Sequence, residues 1–343
     1  MVAGLVRFAV RRSLNDTRHV RVVKRRHATG LVAEVYRQVE RDFSMLAPPV
    51  ALHSASPDVL AASWMILRET LLAQGFADRA GKEAVATGVS LANDCPYCAD
   101  VHGMTLAAIP DAGSEVAVLT EWARASSVAE PVAAPFSPSH AAELIGVAVA
   151  FHYYNRVVNV FLTESPFPSH VPESAKPKAR KVLGGVLRPG PGGAAAGESL
   201  EFLPAVPPRD DLGWARSNRV VAEAFARAYA AVDAAGARSV PSSVRALVLS
   251  RLSTWDGRAP GLSRAWADDA VAGLAEEDRA AGKLALLVAF ASYQVDDALV
   301  EEFRRTAPGD DTLVELAAWA GMAAARRIGT WLAGAAPARE AAA

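Results

Sequence analysis

Apolar residues recur at three- and four-residue spacings along most of the chain, through 32–43, 59–72, 85–91, 144–162, 220–232, 244–252, 284–295 and 313–332. That period puts them on one face of an α-helix, and the period-two alternation of β-branched residues that marks strands is almost absent. The expected fold class is therefore all-α. The pattern breaks between about 184 and 208 in GGVLRPGPGGAAAGESLEFLPAVPP, after a stretch from 163 to 177 with four prolines. Proline lacks an amide donor and glycine weakens a helix, so this segment is expected not to hold one and a linker is expected over 184–212.

The patterns on either side of the break resemble each other. VAEVYRQVE from Val32 parallels VAEAFARAY from Val221, DRAGKEAVATGVSLANDC from Asp78 parallels DRAAGKLALLVAFASYQVD from Asp278 with one residue inserted, and YYNRVVNVFL from Tyr153 parallels AAARRIGTWL from Ala323. Four parts follow: a basic N-terminal helix or arm over 1–27, a helical unit over 28–183, the linker over 184–212 and a second copy of the unit over 213–343. Setting Lys82 against Lys283 places Glu83 on Leu284, Cys95 on Asp296, Cys98 on Leu299 and His102 on Phe303. The second copy is thus expected to be degenerate, keeping the packing and losing the chemistry.

Composition narrows the function. The 343 residues exceed the usual ceiling for one hydrophobic core, so two domains or two copies of one unit are expected, and 51% hydrophobic with 21% charged residues is ordinary globular usage. A net charge of −1 removes the electrostatic case for bulk nucleic-acid binding. Eight Arg or Lys residues between Arg7 and Arg26 face one acid, Asp16, and read as the solvated side of a short packed helix. Arg7, Arg11 and Arg12 interrupt the apolar opening, and His152 and Arg156 interrupt the longest internal apolar run, so neither a signal peptide nor a membrane span is read. The expected location is cytoplasmic.

Two cysteines do not staple a chain of this length, so their placement carries the information. They form the pair Cys95-Pro-Tyr-Cys98, and His102 follows within KEAVATGVSLANDCPYCADVHGMTL. Asn93 and Asp94 read as capping residues, and Pro96 suits the first turn of a new helix, which puts Cys95 at or beside its N-cap. Cys95, Cys98 and His102 then share one helical face. An unperturbed thiol is only about 3% ionised at neutral pH; a helix N-terminus and a neighbouring imidazole both favour the thiolate. A second thiol one turn away can trap an oxidised first sulfur as a disulfide. Glu83 precedes Cys95 by twelve residues; as a carboxylate near a thiol it opposes thiolate formation and helps only by accepting a proton or orienting His102. On cap geometry alone Cys95 is the more acidic thiol.

The spacing E-x11-C-x2-C-x3-H, met by Glu83, Cys95, Cys98 and His102, resembles the active-site pattern of the AhpD-like alkylhydroperoxidases within the carboxymuconolactone decarboxylase superfamily. The likeness extends weakly over 32–162, including Ser90, Asn93 and AFHYYNRVVNVFL. The resemblance implies an AhpD-like helical bundle and a thiol-dependent peroxidase that reduces alkyl hydroperoxides. In it Cys98 would attack the peroxide, Cys95 would resolve the product as a disulfide, and Glu83 with His102 would relay protons. It also implies a lipoyl or thioredoxin-like reductant and a homo-oligomer, with no cofactor and no metal. The chain departs from the family in its doubled length, in a second copy without the motif, and in Tyr97, where some relatives carry histidine. Tyr97, His152, Tyr153 and His53 are expected on the pocket wall. Two alternatives stand beside this: a dithiol oxidoreductase acting on a non-peroxide or biosynthetic substrate, and a structural zinc protein using Cys95, Cys98 and His102 with Glu83 or Asp100.

Overall fold

The computed structural model describes residues 17–110, 112–130, 132–167, 173–187 and 193–335. The first half contains α1 (Gly30–Asp42), α2 (Pro57–Leu67), α3 (Arg79–Ala92), α4 (Pro96–Ala107), α5 (Glu115–Ala125), α6 (Pro138–Phe161) and α7 (Lys176–Leu187). The second contains α8 (Arg219–Ser239), α9 (Ser242–Ser253), α10 (Ala265–Val271), α11 (Glu276–Ala291), α12 (Asp297–Arg304) and α13 (Asp310–Ala335). Among the described residues the only strand-like pairing is an isolated bridge between Ala73 and Ala194. The fold is all-α, and no described helix is long and apolar enough to cross a membrane.

Among the described residues, both halves contribute to one large hydrophobic core, and a second, small cluster of Met45, Met104, Leu183 and Leu187 lies between α4 and α7. The long helices α6 and α13 pack against each other at the centre of the large core. Gly321 lies against Tyr153, Arg156 and Val157, and Gly329 against Val149, so small residues let the two backbones approach. The helix α8 of the second half also packs on α2 of the first. Arg156, buried, donates to Ala289 O across the halves (2.9 Å), and burial lowers its pKa to about 10.

Cys95 is the N-cap residue of α4, and Asp296 is the N-cap residue of α12, its carboxylate accepting from Leu299 N (3.0 Å). Leu284, Leu299 and Phe303 are buried, so apolar side chains occupy the positions matched to Glu83, Cys98 and His102.

Two segments differ from expectation. Helix α7 runs to Leu187, four residues into the expected linker; Pro177 sits in its first turn, where a missing N–H does no harm. Gly184 permits the helix to lie against α4, because a Cβ there would sit 2.3 Å from Met104 O. Residues 195–199 are tied down by the π-helical turn Arg68–Leu72. The fully buried Arg68 binds Ala195 O (2.9 Å), Asp42 (2.7 Å) and Glu198 (2.8 Å), while Glu69 accepts from Gly197 N (2.7 Å) and Ser199 Oγ (2.6 Å). At the N-terminus, residues 1–16 of the expected basic helix lie outside the described residues. From Thr17 to His27 the chain forms only the 3-10 turn Arg25–His27. Its amides bond elsewhere: Arg18 N to Phe161 O (2.7 Å), Arg21 N to Asp310 (2.8 Å) and Val23 N to Ser54 Oγ (2.9 Å).

Candidate active site

The site is a helix–turn–helix. Asp78 caps α3 by accepting from Gly81 N (2.7 Å), and α3 ends at Asn93, where Asp94 takes a left-handed conformation (φ 47°) that reverses the chain. Cys95 then opens α4 with Pro96 in its first turn. Cys95 and Cys98 are free thiols, both buried.

Glu83, fully buried on α3, accepts from His102 Nδ1 (2.6 Å) and from Arg79 Nε (2.7 Å). Burial opposes its ionisation, but the Arg79 guanidinium and the His102 imidazole together outweigh that and hold the carboxyl below its ordinary value. An ionised carboxylate only accepts, so Nδ1 carries a proton and Nε2 is left as the basic nitrogen. Arg79 was not apparent as a site residue, although its position one turn before Glu83 is the signal that an i,i+4 pair leaves in a sequence. It removes the electrostatic conflict between Glu83 and a thiolate.

Cys98 and His102 line a narrow cavity (≈ 60 Å³) whose other walls include Phe43, Met45, Pro48, Leu67, Tyr97, Val101, Phe151, Tyr154, Pro166, Leu183 and Leu187. Phe151 meets the His102 ring edge-on at 4.5 Å. The environment is almost wholly apolar. Burial and the neighbouring Cys95 push the Cys98 thiol well above its usual pKa, against a smaller opposing hydrogen bond from Asn155. The resting group is therefore a thiol, not the preformed thiolate that the helix N-terminus favours.

Of the expected wall residues, Tyr97 lines this cavity, whereas His152, Tyr153 and His53 do not. One residue is about 100° of helix rotation, so α6 presents Phe151 and Tyr154 to the cavity and turns the residues between them elsewhere. His152 accepts from Asn93 Nδ2 through Nδ1 (3.0 Å) and bonds Ser126 Oγ through Nε2 (2.9 Å); burial and the nearby Arg156 hold it neutral. Tyr153 donates to His53 Nε2 (2.8 Å), and His53 Nδ1 bonds Val50 O (3.2 Å). Burial lowers the His53 pKa to about 4. These are satisfied core histidines. Asn155 is fixed below Cys98, accepting from Asn93 Nδ2 (3.1 Å) and donating to Ser90 Oγ (3.0 Å). Among the described residues no set of three His, Cys, Asp or Glu side chains converges as a metal-binding group.

The profile of the carboxymuconolactone decarboxylase family matches residues 58–134, which contain Glu83, both cysteines and His102. A Mycobacterium tuberculosis protein named alkyl hydroperoxide reductase is 36% identical over 337 residues, covering 93% of this chain and 95% of that protein. The chain belongs to the carboxymuconolactone decarboxylase family. The likeness to this relative runs through both halves, so within the family the doubled length is not peculiar to this chain.

Proposed function

We propose that this family member is a thiol-dependent alkylhydroperoxidase that works through a Cys95–Cys98 dithiol/disulfide cycle. The observation that carries the reading is the buried Glu83–His102 pair at the Cys98 end of an apolar cavity, with Cys95 one helical turn away. The name of the mycobacterial relative supports peroxide as the oxidant.

Cys98 meets the hydroperoxide because it, and not Cys95, lines the cavity with His102. His102 Nε2 takes the Cys98 proton while Glu83 stabilises the imidazolium through Nδ1–H. The thiolate attacks the terminal peroxide oxygen, the O–O bond breaks, and the alkoxide leaves as alcohol with the proton returned from His102. The product is a sulfenic acid on Cys98. Cys95 gives up its proton, its thiolate attacks that sulfur, and the hydroxide leaves as water with that proton, which closes the disulfide; an external thiol reductant restores the dithiol. A raised Cys98 pKa suits this order, since the proton leaves only when a base and a substrate are both in place.

Mass spectrometry after one equivalent of cumene hydroperoxide tests the roles. A Cys95–Cys98 disulfide in the wild type and a sulfenic acid at Cys98 in Cys95→Ser are expected. If the reduced protein reacts no faster than free cysteine, the peroxidase assignment is wrong.

A further inference from the structure

The two sulfurs open onto different spaces. Cys98 lines the apolar cavity, whereas Cys95 lines a broader groove (≈ 460 Å³) on another face of α4, with Asp94, Pro96 and Ala99 beside it. Tyr97 borders both and separates them. The groove is polar where the cavity is not: Arg18, Asp94 and Glu164 edge it. Its far wall comes from the second half, through Tyr293 and Val295. Two large apolar side chains stand exposed at its rim, Leu91 at 48% from the first half and Tyr293 at 40% from the second.

We infer that hydroperoxide and reductant use separate entrances, the reducing thiol reaching Cys95 through this groove, whose outer wall the degenerate second copy supplies. The inference rests on the dithiol cycle proposed above. Displacement at sulfur is in-line, so the incoming thiolate must approach Cys95 from the side away from Cys98. It attacks Cys95 Sγ, the Cys95–Cys98 bond breaks, and Cys98 leaves as a thiolate, which takes up through His102 Nε2 the proton that the reductant thiol released. A second reductant thiol then breaks the mixed disulfide, giving oxidised reductant and two protein thiols. A thiolate is also an anion, and a narrow apolar cavity disfavours its entry whereas a polar groove admits it.

The wall is held in register with the dithiol. Asn159 Nδ2 binds both Ser292 Oγ (3.0 Å) and Asn93 O (3.3 Å), and Arg156 bonds Ala289 O and Asn93 Oδ1 (3.3 Å). The second copy thus reaches the turn before Cys95 through two side chains of α6. Its lost chemistry is replaced by a share in the surface that a reductant must pass.

Charge placed on that wall tests the inference. Oxidised protein is prepared with diamide, so the disulfide forms whether or not peroxide is the natural oxidant. Reduction by cationic cysteamine and by anionic 2-mercaptoethanesulfonate is followed at low ionic strength in wild type, Tyr293→Lys and Tyr293→Glu. Tyr293→Lys is expected to raise the anion-to-cation rate ratio and Tyr293→Glu to lower it, each by about threefold or more, with the differences collapsing in 0.5 M salt. Cumene hydroperoxide should oxidise all three reduced proteins at rates within twofold of each other. Leu91→Lys, on the opposite rim, should behave as Tyr293→Lys does. An unchanged ratio in the folded Tyr293 variants overturns the inference, and so does a parallel change in the hydroperoxide step, which would mean one shared entrance. Failure of the peroxidase reading would look different: the wild type would be inert to hydroperoxide while the diamide arm still reported on the groove.

Discussion

Replacing Glu83 by glutamine removes one charge from the centre of a buried triad and keeps its shape. In the wild type the carboxylate accepts from His102 Nδ1 at 2.6 Å and from Arg79 at 2.7 Å, with no exposure to water. Transfer of the Cys98 proton creates an imidazolium beside it. Two unit charges 4 Å apart attract by about 4 kcal/mol at an effective dielectric constant of 20. Glutamine retains a neutral hydrogen bond, so the loss in the transition state is about 2–3 kcal/mol, or roughly 30- to 150-fold in rate. The assay is stopped-flow oxidation of the reduced protein by cumene hydroperoxide across pH. Glu83→Gln should also steepen the pH dependence towards about tenfold per unit, because the thiolate must then form by direct ionisation of a thiol whose pKa burial has raised. A merely structural role would lower the melting temperature without changing that slope. A variant within threefold of wild type with the same pH profile would refute the relay.

Acid should destabilise the fold through His53. Its folded pKa of about 4 lies below the usual 6.5, so stability is fully present above pH 6.5 and falls by about 3 kcal/mol as the pH drops to 4; urea titrations at pH 7 and 4.5 should differ less in His53→Gln. Gly88→Ala places a Cβ 2.3 Å from Thr120 O and 2.8 Å from Ala123 Cβ, forcing α3 and α5 apart, and should cost about 1–3 kcal/mol by chemical denaturation. Truncation after Leu187 removes α13 and uncovers the apolar face of α6, so the fragment should aggregate in size-exclusion chromatography. A monodisperse, fully active fragment would contradict the shared core.

Much of this molecule is written locally. The apolar period of α6 and α13 marks them as helices, the capping residues before Cys95 mark where α4 begins, and the spacing of Cys95, Cys98 and His102 puts them on one helix. Glu83 was legible only because its distance from the cysteines resembles a known pattern. The walls were not legible. Phe151 and Tyr154 face the cavity while His152 and Tyr153 serve the core, a choice made by the rotational phase of α6. Leu187 comes from a stretch whose prolines and glycines suggest no helix, yet α7 runs on through it, with Gly184 packed against α4.

By itself, then, the chain determines an all-helical fold and the order of its reactive groups, since both depend on interactions a few residues apart. Tertiary structure alone decides what surrounds each sulfur. The segment after α1, with α6 and α7, closes an apolar cavity on Cys98, and Tyr293 from the second half lines the groove of Cys95. Burial and electrostatics act between whatever packing brings together, and the sequence separation of those groups carries no trace of it.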